Sequence, residues 1–174
     1  MVGAALAQLD RSLKLALPLV STALVALLSV VPLPIPEYAM LAPNFVLICA
    51  FYWIVHRPDL FPAWGAFLTG LFDDALSGAP LGLNACVLLL VHATIVAQHK
   101  FFRGKAFWLI WASFALLAAA AAIAIAILVF VVAKIALTPG VFFAQLALTI
   151  AAYPAAAALL GRAQRLFLPG GVGR

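Results

Sequence analysis

Residues 66–83 read AFLTGLFDDALSGAPLGL, and this stretch decides the fold. An apolar segment with two adjacent aspartates leads into a segment rich in glycine and proline, after which the apolar pattern resumes. Glycine tolerates positive φ and proline fixes φ, so the stretch predicts two helices joined by a tight turn. Adjacent residues diverge by about 100° around a helix, so Asp73 and Asp74 are expected to face different neighbours.

The rest of the chain is equally apolar. Of its 174 residues, 68% are hydrophobic and 9% are charged, and the mean hydropathy is +1.23. A soluble domain carries about 45–50% apolar and about 25% charged residues. The composition therefore predicts a protein dissolved in a lipid bilayer and excludes a soluble enzyme, a nucleic-acid-binding domain and a disulfide scaffold. The net charge of +5 then reports basic loops on one face of the membrane and no nucleic-acid partner.

Six segments are predicted as transmembrane helices, because such a helix needs about 20 mostly apolar residues. They cover residues 15–31, 38–55, 60–78, 82–98, 107–137 and 141–160, and Pro154 is expected to kink the sixth. The predicted fold is an all-α integral membrane protein with a single six-helix transmembrane domain over residues 1–167. Residues 168–174 are rich in glycine and proline and predict a flexible C-terminal tail.

The basic residues predict the orientation, since Lys and Arg are retained on the cytoplasmic side of a membrane. With six helices and a cytoplasmic N-terminus, nine of the ten basic residues fall inside, and only Lys134 falls outside. Both termini are therefore predicted to be cytoplasmic. The nine are Arg11, Lys14, Arg57, Lys100, Arg103, Lys105, Arg162, Arg165 and Arg174.

The two aspartates of the third helix are functional candidates, because charge inside a membrane is costly. Asp74 shares a ridge with Ala66, Gly70 and Gly78, and small residues at this spacing allow a neighbouring helix to approach closely. Three roles are open for Asp74: hydrogen bonds to backbone amides of the next turn, contact with a ligand or ion, and contact with a partner. An aspartyl protease is disfavoured, because the two side chains diverge.

Several polar residues are predicted at the same depth near the outer surface. They suggest an outward-facing pocket lined by Asn44, Asp73, Asp74, Asn84 and Gln145. The alternative is that each side chain separately bonds backbone near the interface. His92 lies deeper and is expected to bond a neighbouring helix. The sequence contains no nucleotide-binding, zinc-protease or serine-hydrolase motif, so we expect no metal, no cofactor and no catalytic residue.

An ordered set of motifs resembles the rod shape-determining protein MreD family. A Pro-Asn-Phe start at residues 43–45 is followed by Tyr-Trp at 52–53, Arg-Pro at 57–58 and the stretch at 66–83. The resemblance covers residues 43–83, about a quarter of the chain. The motif residues expected to be structural or to bind a partner are Pro43, Asn44, Trp53, Arg57, Pro58, Gly70, Asp74, Gly78, Pro80 and Gly82.

The resemblance implies a multi-pass subunit of the bacterial inner membrane that serves cell-wall elongation. Its implied partners are MreC and, through it, MreB, RodA and a class B penicillin-binding transpeptidase, besides membrane lipid. It implies no catalysis, and a fold similar to the substrate-binding subunits of energy-coupling-factor transporters. By motif position Asp74 is the family's aspartate, and we expect the hairpin around it to hold a partner-facing surface in shape.

Two other functions compete with this one. The first is a small-molecule, vitamin-type binding subunit of an energy-coupling-factor transporter, which this chain resembles in size and topology. The Ala-xxx-Ala pair that such subunits commonly carry in helix 1 has no counterpart among Ala16, Ala23 and Ala26. The second is a membrane enzyme that acts on a lipid-linked precursor with Asp73 or Asp74 as base. No histidine pair, arginine cluster or metal motif supports it.

Overall fold

The computed structural model describes residues 17–29, 42–99, 104–134 and 138–167, in which all regular structure is helical. The predicted tail at 168–174 and the ends of the predicted first helix lie outside these residues. The helices are α1 (Leu17–Ser29), α2 (Phe45–His56), α3 (Ala63–Ser77), α4 (Leu83–Ala97), α5 (Phe107–Ala133) and α6 (Pro139–Phe167). The all-α prediction is confirmed for the described part of the chain.

The predicted start of the second helix, at residue 38, is wrong. The helix begins at Phe45, because the Asn44 side chain caps it by accepting a 2.9 Å hydrogen bond from the amide of Leu47. An asparagine at this position satisfies an amide that has no partner within the helix. The earlier start was predicted from hydropathy alone, because several residues before Phe45 are apolar.

The last two helices also end elsewhere than predicted. α5 stops at Ala133, because Lys134 adopts a left-handed conformation with φ of 57°; its amide still donates to the Phe130 carbonyl. α6 continues through Pro154 and past residue 160 to Phe167. Residues 161–167 include Ala, Arg, Gln and Leu, which favour helix although several are polar. The hydropathy-based prediction therefore included only the apolar part of α6.

The core forms around α2, in which ten of twelve residues are buried. The ring of Phe51 packs edge-on against Phe114 of α5 and Tyr153 of α6, at centroid distances of 5.0 and 5.6 Å. Polar contacts of the next two residues extend the packing. The Tyr52 hydroxyl donates to Gln164 of α6 at 2.9 Å, and the Trp53 indole donates to Ser21 of α1 at 3.0 Å. α2 is therefore the element that the other helices surround.

Helices α3 and α4 form an antiparallel hairpin with close backbone contact. A Cβ placed on Gly70 would lie 2.6 Å from the amide nitrogen of Ala85 and 2.8 Å from the carbonyl carbon of Asn84. Only glycine fits at that separation, as expected for small residues at a helix contact. The turn of this hairpin lies at the same end of the molecule as the start of α2, which we call the turn end. His56 and Lys105 lie at the opposite end of the molecule, where they line a cavity.

Two of the described helices are long and apolar enough to cross a bilayer: Phe107–Val131 within α5 and Pro139–Arg165 within α6. α2 has only 12 residues and spans about 18 Å, whereas the hydrocarbon core is about 30 Å thick. The helical character of all six segments agrees with the prediction, while their lengths distinguish two helices that are long enough to span a bilayer from shorter ones.

Gly70→Ala is expected to destabilise the protein by about 1–3 kcal/mol, because the added methyl group has to push apart two backbones. The matched control is Gly140→Ala, where an added Cβ meets nothing within 4 Å and φ is not positive. Thermal unfolding in detergent measures both variants. Equal midpoints for the two would contradict the close contact between α3 and α4.

Candidate functional site

The Asp74 carboxylate is fully buried and accepts hydrogen bonds from three backbone amides of the following segment. Oδ2 accepts from Gly82 at 2.8 Å and from Ala85 at 3.4 Å, and Oδ1 accepts from Asn84 at 2.9 Å. Of the three roles open for Asp74, the structure thus confirms hydrogen bonding to amides of the next turn.

These amides need an outside acceptor because they belong to the first turn of α4. The first amides of a helix have no partner within it, and the side chain of the N-cap residue usually supplies one. The N-cap of α4 is Gly82, which has no side chain and adopts φ of 94°. The Asp74 carboxylate, on the neighbouring helix α3, supplies the missing hydrogen-bond acceptor. Its negative charge also lies at the positive end of the α4 dipole.

The turn between the two helices depends on its glycines. Gly78 ends α3 in the left-handed conformation with φ of 69°, and Gly82 begins α4 in the same region. The Pro80 carbonyl accepts from the amide of Leu83 at 3.1 Å, which closes the turn. The predicted role of these residues in a tight turn is therefore confirmed.

Four of the five predicted pocket residues line one cavity of about 280 Å³ at the turn end: Asn44, Asp73, Asn84 and Gln145. Asp74 does not line it, so this part of the prediction is wrong. The two aspartates diverge, and the carboxylate of Asp74 is directed to the amides of α4. The other polar side chains on the cavity wall are Ser29, Ser77 and Thr149.

The side chains of two of these polar residues bond backbone groups, and two contacts with α6 hold the start of α2. Gln145 donates from Nε2 to the Ala42 carbonyl at 3.2 Å, and Asn44 caps α2 through its side chain. The backbone amide of Asn44 donates to Thr149 Oγ1 at 3.0 Å. The alternative of separate backbone bonds is confirmed for Asn44 and Gln145. Thr149, one turn after Gln145 in α6, was missed by the prediction.

The other two cavity residues differ, because their side chains lack such partners. Asp73 and Asn84 are half-buried. Within the part of the chain that the structure describes, no group donates a hydrogen bond to the Asp73 carboxylate and none bonds the Asn84 side chain. The cavity therefore contains an anionic group and an amide with unused hydrogen-bonding capacity.

Among the remaining motif residues, Pro43 lines the cavity and Gly70 lies at the contact between α3 and α4. Trp53, Arg57 and Pro58 lie toward the C-terminal end of α2 and do not join this site. Trp53 is buried in the core, and Arg57 caps α2 by donating its amide to the Trp53 carbonyl at 2.7 Å. The Arg57 side chain lies 3.5 Å from Asp59 in an exposed ion pair, and Pro58 follows in the turn. His92 contacts the Phe61 carbonyl at 3.0 Å, so its partner is the segment before α3.

The geometry of the turn end is suited to holding backbone in place. Both carboxylate oxygens of Asp74 accept hydrogen bonds from backbone amides, and the side chain is fully buried. Across the described residues, no three His, Cys, Asp or Glu side chains lie close enough together to hold a metal ion.

Asp74→Ala is expected to lower the stability of the hairpin markedly, since each buried amide left unsatisfied costs about 1–3 kcal/mol. Asp73→Ala is the matched control, because its carboxylate has no donor among the described residues. Thermal unfolding in detergent should show a large drop for the first variant and a small change for the second. Similar midpoints would mean that the three hydrogen bonds contribute little.

One family comparison covers most of the chain. The family described as rod shape-determining protein MreD matches residues 10–160 of the 174. No solved structure matches the chain. The match extends the resemblance from residues 43–83 to α1, α5 and much of α6. Members of this family are membrane proteins, which agrees with the two long apolar helices. The chain therefore belongs to the MreD family and has a role in determining rod shape.

Proposed function

We propose that this protein is a non-catalytic, multi-pass subunit of the inner membrane that scaffolds or regulates MreC and the peptidoglycan synthases. The observation that carries the proposal is the family match over residues 10–160. MreB, RodA and a class B penicillin-binding transpeptidase are the proposed indirect partners. The vitamin-binding alternative receives no support from the family match.

The proposed architecture has six transmembrane helices in one domain over residues 1–167, with both termini cytoplasmic. The sorting of basic residues supports it. Arg57, Lys105 and Arg165 belong to the end of the described bundle opposite the α3–α4 turn, whereas Lys134 follows the C-terminus of α5. The turn end is then periplasmic. The likeness to substrate-binding subunits of energy-coupling-factor transporters stays a prediction.

The α3–α4 turn is the proposed partner-facing surface. Asp74 fixes the start of α4, and Gly78, Pro80 and Gly82 shape the turn. Leu81 stands at its tip with 73% of its surface exposed. Its large apolar side chain offers a contact point for another protein. A scaffold requires this kind of fixed surface and no reactive group.

The topology is tested by cysteine labelling in a variant without Cys49 and Cys86. Lys134→Cys should react with a membrane-impermeant maleimide in intact spheroplasts, because the proposal places it outside. Lys105→Cys should react only after lysis. Labelling of both positions from outside would contradict the proposed orientation.

The function is tested in a rod-shaped bacterium that depends on this gene. Asp74→Ala and Gly78→Leu should cause rounding of cells and at least about a tenfold loss of MreC in affinity purification from mild detergent, since loss of fixed geometry weakens binding. Asp59→Asn, an exposed position at the other end, is the control. Normal insertion, MreC recovery and rod growth with both variants would refute the scaffold role. A stoichiometric vitamin in the purified protein would do so as well.

A further inference from the structure

The cavity at the turn end contains a carboxylate that the described chain does not pair. Asp73 is half-buried, and no Lys, Arg or His side chain forms an ion pair with it among residues 17–29, 42–99, 104–134 and 138–167. The sequence of segments 30–41 and 135–137 contains no Lys, Arg or His. Lys134, the one basic residue assigned to the outer face, is exposed. A partly buried carboxylate is costly without a partner of opposite charge.

The cavity wall presents mainly hydrogen-bond acceptors, because the hydroxyl hydrogens are already used. Ser29, Ser77 and Thr149 each donate to the carbonyl four residues earlier in their own helices, at 2.7–2.8 Å. Gln145 donates through Nε2, which leaves its oxygen as an acceptor. The remaining hydroxyl lone pairs, the Gln145 and Asn84 amide oxygens and the Asp73 carboxylate can together accept from a donor with several N–H groups.

The cavity is also suited to a side chain with an apolar stem. Its volume is about 280 Å³, and its wall includes Ala118, Ala122, Ile125, Phe142 and Leu146 beside the polar groups. Arginine and lysine combine an apolar stem with a cationic head that only donates hydrogen bonds. The head would meet Asp73 and Asn84, and the stem would lie against the alanines and the other apolar residues.

We propose that this cavity receives a basic side chain, arginine or lysine, from a partner protein at the outer face, and that Asp73 pairs with its cationic head. The inference rests on the proposed function, since it requires a partner at the turn end. It adds the chemistry of recognition, in which Asp74 fixes the hairpin and the neighbouring Asp73 supplies the charge.

The test replaces Asp73 with Asn, which keeps the shape and removes the charge, and with Arg, which reverses it. Both variants should fold, judged by a single gel-filtration peak and by thermal midpoints near the wild-type value. Affinity purification should recover on the order of tenfold less partner protein with Asp73→Asn, and still less with Asp73→Arg. Asp73→Glu should restore much of the recovery, and Asp59→Arg should leave it unchanged.

Suppressor selection on Asp73→Arg identifies the source of the positive charge. The expected suppressors convert an Arg or Lys of a partner into Asp or Glu. Unchanged recovery with both variants would overturn the inference, while a loss caused by Asp74→Ala alone would leave the proposed function intact. An Asp73-dependent thermal stabilisation of the purified chain by arginine amide, without any effect of Asp73 on partner recovery, would assign the cavity to a small cation and overturn the inference.

Discussion

The hydrogen bonds from the Asp74 carboxylate to the amides of Gly82, Asn84 and Ala85 are the interaction on which the turn end depends. Through them, a side chain of α3 provides the hydrogen-bond acceptor that the N-terminus of α4 lacks. A polar group that water cannot reach is costly unless it is paired, and this holds most strongly near lipid. The bonds therefore fix the position of α4 relative to α3. The contact at Gly70 and the orientation of Asn84 into the cavity follow from that position.

The remaining helices are arranged around α2, whose two ends differ in chemistry. At the turn end, the Asn44 side chain caps α2, and the Asn44 backbone amide donates to Thr149 of α6. The start of α2 is therefore attached to α6. At the opposite end, Arg57 closes the helix through its amide and pairs with Asp59 at the surface. Between these ends the contacts are mostly apolar and aromatic. Polar interactions thus determine where α2 begins and ends, and packing determines what surrounds it.

The sequence predicted those parts of the fold and site that depend on local chemistry. Glycine and proline predicted the turn after Asp74, and four of the five polar residues predicted for the pocket line one cavity. The start of α2 was missed, because hydropathy does not register an asparagine cap. The cavity prediction failed at Asp74, since the direction of a side chain depends on a neighbouring helix that hydropathy does not position. Thr149 and Ser21 were missed because each acts through one long-range contact.

Amide hydrogen exchange at the start of α4 tests the central claim most directly. The measurement compares peptides covering residues 82–90 in the wild type and in Asp74→Ala, in detergent micelles, with peptides from α6 as an internal reference. The account predicts slow exchange at Asn84 and Ala85 in the wild type and much faster exchange in the variant, with α6 unchanged. Equal protection of these amides in the two proteins would contradict it.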